Sequence, residues 1–240
     1  MAAQQARDQV VVVPLSNTSI SFIVPTLNEE NNIQQTLGFL QGARQRGHTI
    51  VVADGGSQDQ TLSLARDLAD TVDSCSPGSA RQMNLGATLS RSDIVCFVHA
   101  DTIVPQDIDE LIIAAVNKDR CWGRFSIRLS GSHWFFRIIE KMMNLRSCLT
   151  GIATGDQTIF IKKDIFDRLG GYADIPIMED IQISKRLKNI SRPVCLSNTV
   201  TTSSRRWEQK GIYRTMFLMW RLRLAYALGV KPQKLANLYQ

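Results

Sequence analysis

The chain has 240 residues, 44% of them hydrophobic, with 28 basic and 22 acidic side chains and a net charge of +6. That is enough apolar content for a sizeable core in one undivided α/β unit; no Gly/Ser- or Pro-rich linker divides the chain, and no repeat occurs beyond β-α alternation. The charge suits nucleic acid, anionic lipid or a phosphorylated ligand, but basic residues are scattered and no aromatic-interleaved nucleic-acid module occurs, so nucleic acid is not expected as a partner.

In chain order, residues 1–17 are polar around Val10-Val11-Val12-Val13-Pro14, too short a run for a signal core, and read as a flexible lead-in. Ile20 to Val24 reads as a buried strand running into Pro25-Thr26-Leu27-Asn28-Glu29-Glu30, with Ile33, Leu37, Leu40 and Ala43 following at helical spacing. Thr49 to Ala53 repeats the step, leading into Asp54-Gly55-Gly56-Ser57 and a second amphipathic helix. Strand–helix alternation predicts a parallel sheet with right-handed crossovers. Pro77-Gly78-Ser79 opens a helix with Arg81 in its first turns, where free N–H groups, the dipole and a planar cation favour phosphate; a plain surface arginine is the alternative.

The most informative segment follows. The apolar run Cys96-Phe97-Val98 ends in His99-Ala100-Asp101-Thr102. Ligands bind beyond the carboxyl ends of strands in open α/β sheets. Asp101 there either holds a divalent cation, whose shell substrate phosphates complete, or caps the helix predicted over Pro105 to Val116. Between Gly131 and Leu149, Trp134, Phe135, Phe136, Met142 and Met143 mark a strongly apolar helix, read as core rather than substrate pocket. Glu179 and Asp180 open a further helix with Ile183 and Leu187 on its apolar face; acids also occur at such starts merely as dipole complements. Over Gly211 to Leu228, Tyr213, Phe217, Trp220, Leu224 and Ala227 share one face, and Gly229 with Lys231-Pro232 marks the stop. With Arg221 and Arg223 inside it, this helix either closes over the core or lies at a membrane interface, but does not span a bilayer. The five cysteines, odd in number and without CxxC spacing, favour a reducing cytosol over a disulfide framework or zinc site.

The set FIVPTLNEENNI, VVADGGSQDQT, GSARQMNLGA, FVHADT, GDQTIFIKKDIFDRLGGY, MEDIQISKRLK and SSRRW, in this order and spacing, resembles the nucleotide-sugar glycosyltransferases of family 2 across about residues 19 to 210. The branch associated with arsenosugar-type biosynthesis is similar in HADT and in the ending after SSRRW. The resemblance implies the GT-A fold: α/β, with a Rossmann-like, mostly parallel sheet flanked by helices. It places a catalytic domain over 18–210 and a C-terminal amphipathic helical extension over 211–240.

It further implies an inverting hexosyltransferase-type enzyme that uses a nucleotide-sugar donor, an acceptor hydroxyl of unknown identity, and Mn²⁺ or Mg²⁺. Pro25, Thr26, Asn28 and Glu29 match the turn that holds the nucleoside, Asp54 the acid at base or ribose, and Arg81 the basic residue near base and phosphates. Asp101 matches the last acid of the DxD metal motif. His99 replaces the first, leaving an imidazole that contacts either ribose or metal. Asp180, with Glu179 as the alternative, matches the general base. Gly155, Asp156 and Gln157 resemble the acceptor-side loop. Arg206 and Trp207 match the RW of a QxxRW-like element in which Ser203 replaces Gln, so a processive synthase is not expected. A nucleotide-sugar binder without turnover and a nucleotidyltransferase are the rival readings; no GxGxxG follows Val24 to suggest a dehydrogenase. Cytoplasmic placement with peripheral contact at the inner membrane face completes the expectation.

Overall fold

In a computed structural model, which describes residues 18–116 and 119–239, strands and helices alternate as the hydrophobic pattern predicts. The lead-in over 1–17 lies outside the described residues. The elements are β1 (Ile20–Thr26), α1 (Ile33–Gln45), β2 (Thr49–Asp54), α2 (Thr61–Ala65), β3 (Thr71–Ser74), α3 (Ser79–Leu89), β4 (Ile94–Phe97), α4 (Ile108–Ala115), β5 (Trp122–Leu129) and α5 (Trp134–Thr150). They continue with β6 (Phe160–Lys162), α6 (Lys163–Arg168), α7 (Glu179–Lys188), β7 (Val194–Thr202), α8 (Arg205–Lys210), α9 (Ile212–Ala227) and α10 (Pro232–Tyr239).

The seven described strands form one sheet in the order β3-β2-β1-β4-β6-β5-β7, parallel except for β6, which runs antiparallel to both β4 and β5. Helices cover both faces, as continuous apolar strands require. On one face Phe22, Val24 and Ile50 meet Ile33, Leu37 and Leu40 of α1 and Ile108 and Ile112 of α4. On the other, Ile23 and Val95 meet Ala80 and Met83 of α3, Phe166 of α6 and Ile183 and Leu187 of α7. Gly86 makes the second layer tight: a Cβ there would overlap Ile23 Cγ2, so only glycine lets α3 sit this close to β1.

The chain runs β1 to β3 in one direction and then places β4 on the opposite side of β1. This reversal opens a crevice beyond the carboxyl ends of β1 and β4, where an open α/β sheet takes its ligand. The loop after β4 is pinned there by paired Ile103–Thr201 backbone hydrogen bonds of 2.8 Å each. At the far end of α1, Arg46 grips Asp109 with bonds of 2.7 and 2.6 Å and His48 adds a third contact.

Two expectations change. Cys148 of α5 is paired with Cys195 of β7, so the cysteine set is not disulfide-free; the chain-distant strand and helix are brought together by the sheet, which sequence spacing does not reveal. On α9, the aromatic face does not close over the core. Tyr213, Phe217 and Leu224 are 52%, 62% and 63% exposed, while Thr215 and Leu222 are buried. Among the described residues no helix is long and apolar enough to cross a membrane.

Candidate active site

The loops after β1 and β2 are zipped into one polar platform. Asp54 is fully buried; its Oδ2 accepts from the backbone of Gly56 and Ser57 at 2.7 and 2.8 Å, and its Oδ1 from the hydroxyls of Ser57 and Thr26 at 2.5 and 3.1 Å. Asn28, at φ +54°, bridges the loops by donating its N–H to Ser57 Oγ at 2.8 Å and accepting from Gln58 N at 2.9 Å. Asn is among the few side chains that tolerate this conformation. Gln82 of α3 supports the platform from beneath, donating to the carbonyl of Thr26 at 2.6 Å and of Ala53 at 3.1 Å. Pro25 lies within β1, and Glu29 accepts from Asn32 at 2.7 Å and faces Arg205 at 3.5 Å.

Beyond β4, His99 lines a cavity of about 500 Å³ together with Gly155, Asp156, Glu179 and Asp180. Asp101 lies beside it, close enough for the charges of His99, Asp156 and Arg205 to act on it. Burial raises the Asp101 pKa, and the negative charge of Asp156 adds to this, against His99 and Arg205. Two carboxylates that repel each other next to an imidazole suit a hard divalent cation whose shell is completed by phosphate and water. Among the described residues no group of three or more His, Cys, Asp or Glu forms an all-protein cage. Asp101, Asp156 and His99 are the residues here that could hold such a cation, with the rest of its shell left to a substrate and water.

Opposite, the Gly155–Gln157 turn is tied to the start of α7, Gly155 N donating to Asp180 Oδ2 at 3.1 Å. Asp180 Oδ1 accepts from Ile181 N at 2.6 Å. A Cβ on Gly155 would lie 2.6 Å from His99 Nε2, so glycine lets the imidazole reach the turn. Gln157 is fully buried and donates to Ser147 Oγ of α5 at 2.9 Å; it holds the turn from behind and does not face the cavity. Burial raises the pKa of Glu179 and the adjoining charge of Asp180 raises it further, against a hydrogen bond from Ser79. Met178, which precedes the pair, has φ +72° although it is not glycine. Such strain persists where the surroundings over-determine it, and here it aims the two carboxyls.

The structure does not bring every expected residue to the cavity. Arg81 turns outward, where its Nε meets both Asp174 oxygens at 2.9 and 3.0 Å, because the loop before α7 offers an exposed counter-charge. Trp207 of α8 lines the cavity and also packs with Phe136 and Ile139. Arg206 is its half-buried neighbour, and Arg205 is the arginine whose charge reaches Asp101.

The remaining wall corrects the reading of the α5 stripe as core: Met142 and Met143 line the cavity and Trp134 is exposed, because α9 packs beside α5 and leaves this face open. Six of the chain's seven methionines, Met83, Met142, Met143, Met178, Met216 and Met219, line the cavity. Arg146 of α5 and Arg223 of α9 line it too. Burial, with the charge of Arg223 adding to it and Asp180 opposing, lowers the Arg146 pKa to about 10; burial also lowers Arg223, with Asp180 opposing. A signal for both was present. Ile139, Met142, Met143 and Arg146, and again Met216, Met219, Trp220 and Arg223, recur at i, i+3, i+4 and i+7, so each arginine ends an apolar stripe on one helix face.

A family model described as Glycosyl transferase family 2 matches residues 21–170. The chain is 23% identical to the probable glycosyltransferase YdaM of Bacillus subtilis, covering 88% of this chain and 54% of that protein. It therefore spans about half the length of that curated relative. Among solved structures, S. aureus TarS 1–349 in complex with UDP-GlcNAc superposes with a TM-score of 0.64 at 18% identity, covering 78% of this chain and 58% of that one. The mannosyltransferase PcManGT of Pyrobaculum calidifontis, in complex with GDP-Man and Mn²⁺, superposes with a TM-score of 0.61 at 18% identity, covering 86% and 60%.

Proposed function

Because this chain belongs to glycosyl transferase family 2, we propose that it is an enzyme transferring a sugar from a nucleoside-diphosphate sugar to an acceptor hydroxyl, with inversion and with Mn²⁺ or Mg²⁺. The observation that carries the reading is the gathering of His99, Asp156, Glu179 and Asp180 in one cavity beyond β4, with Asp101 near enough to feel the charges of His99 and Asp156. The nucleoside rests on the platform of Pro25, Thr26, Asn28 and Glu29. Asp54, with its oxygens committed to four protein donors, shapes that platform. Arg205 and Arg206 approach the diphosphate. Asp101, with His99 and Asp156 beside it, would hold the cation, which when bound supplies Lewis-acid neutralisation of the departing diphosphate.

The acceptor oxygen forms its bond to the anomeric carbon while the bond from that carbon to the diphosphate oxygen breaks and the nucleoside diphosphate leaves with the electron pair. Asp180 takes the hydroxyl proton, and attack from the side opposite the leaving group inverts the centre. Gly155 holds Asp180 in place through its N–H. A membrane-peripheral placement is supported by the exposed apolar faces of α5 and α9, while the Cys148–Cys195 pair removes the cysteine argument for the cytoplasmic side.

Thermal-shift titration with UDP and GDP, with and without Mn²⁺, tests the donor half. Stabilisation by one nucleotide is expected to grow at least tenfold in apparent affinity with Mn²⁺, and Asp101→Ala is expected to abolish that gain. A nucleotide response indifferent to Mn²⁺ in the parent protein would overturn the metal assignment. Binding without turnover of any nucleotide sugar would leave a binder.

A further inference from the structure

The arginines of the methionine wall have no counterpart in the chemistry described so far. Nε and Nη2 of Arg146 are buried and have no hydrogen-bond partner. Neither Arg146 nor Arg223 is in a salt bridge among the described residues, yet the two are near enough to repel each other, with Asp180 as their common acidic neighbour. Buried polar groups are almost always satisfied, and a charged donor left unsatisfied is costly, so a half-buried guanidinium with two buried, unpartnered nitrogens, lining an open cavity, suits an anionic partner from outside the chain.

The surroundings say what else that partner carries. The repeated stripes of α5 and α9 bring Met142, Met143, Met216, Met219 and Trp220 around the arginines. Met142 and Trp220 both line the cavity and remain 44% and 47% exposed, so the cavity opens onto the outer apolar faces of the two helices. Those faces adjoin where the Phe135 and Tyr213 rings meet at a tilt of 51° with centroids 4.9 Å apart. Methionine supplies an apolar wall that adapts to flexible chains.

Resting on the glycosyltransferase reading, we propose that the acceptor is an anionic amphiphile: a phosphate group seats on Arg146 and Arg223, and an apolar chain runs along the methionine wall and out between α5 and α9. This places a hydroxyl close to the phosphate within reach of Asp180. A soluble phosphorylated sugar or acid would use the arginines and leave the wall unused.

The test is quenching of tryptophan fluorescence in the full chain by decyl phosphate, decyl glucoside and glycerol 3-phosphate, since Trp207 and Trp220 line the cavity. Decyl phosphate is expected to bind at least tenfold tighter than either of the other two. Arg146→Gln and Arg223→Gln are each expected to lose about tenfold for decyl phosphate and to leave decyl glucoside unchanged, with Arg146→Lys retaining part of the affinity. Equal affinity for decyl phosphate and decyl glucoside would remove the anion site, and equal affinity for glycerol 3-phosphate would remove the apolar half. The comparison of probes on the parent protein needs no variant to fold. Failure of UDP binding would strike the donor assignment alone, because these probes report the opposite wall.

Discussion

The loop platform after β1 and β2 and the cavity beyond β4, which that platform does not line, are built on opposite principles. On the donor side, the β1 and β2 loops are cross-braced by short hydrogen bonds centred on Asp54, Asn28 and Gln82, and little of the polar capacity is left over. In the cavity, α5 and α9 offer thioethers, the Trp220 indole and two arginines, and the buried Nε and Nη2 of Arg146 go without a partner. A rigid polar platform suits a ligand whose shape never varies, such as a nucleoside. An adaptable wall with fixed charge suits a ligand defined by amphipathic character. The match to the family model, residues 21–170, contains the platform and Asp101 but stops before Asp180, α8 and α9. The match thus includes the platform and the α5 half of the proposed acceptor wall, and leaves outside it the start of α7 and the α9 half.

The largest expected effect breaks the contact between the two sides. Asp180→Asn keeps size and the hydrogen bond from Gly155 but cannot accept a proton, so transfer is expected to fall by about 10²-fold or more while donor affinity persists. Steady-state kinetics with a nucleotide sugar checks this, and undiminished kcat would move the base role to Glu179.

A second variant probes the rigidity of the donor platform. Asp54→Ala leaves buried donors without their acceptor, at about 1–3 kcal/mol for an unsatisfied group. In a domain of this size that is a Tm loss on the order of 5 °C, accompanied by weakened nucleotide binding. Arg81→Ala removes only an exposed pair with Asp174 and is expected to change Tm by less than 2 °C, roughly what a surface ion pair contributes. Equal losses for the two variants in differential scanning calorimetry would mean that the platform is not organised by Asp54.

The smallest effect is a gain. Burial and Asp180 hold the Glu179 carboxyl above its ordinary pKa, so the folded state binds this proton more tightly than the unfolded chain does. Stability from this group is therefore lost as pH rises from the unfolded value of about 4.3 through the folded one. Glu179→Gln is expected to raise Tm at neutral pH by about 2–4 °C, with the difference vanishing below about pH 4. Melting curves across pH check the sign, and a lower Tm for the variant at pH 7 would assign Glu179 a stabilising contact instead.

By itself the sequence determined the β-α rhythm, the strand-end carboxylates and the helix start at Glu179, because strand alternation, helical spacing and turn residues are local properties of the chain. It also marked α5 and α9 as apolar helices. It did not determine which face of α9 turns inward: the aromatic face looked like the core face, and the structure buries Leu222 and Thr215 instead. Likewise, Arg81 stood in a phosphate-binding context, and its direction was decided by Asp174, 93 residues away. Asp54 read as a ligand contact, but its oxygens are taken by donors that only the pairing of the β1 and β2 loops brings near. Arg146 and Arg223 lie on different helices, and Cys148 and Cys195 on a helix and a strand, so their meeting depends on how those elements pack. Periodicity is written within an element, whereas the counter-charge of a side chain and the face a helix buries are set by its neighbours in space. For this protein that division falls between the donor platform, largely written in its loops, and the acceptor wall, which exists only once α5 and α9 stand side by side.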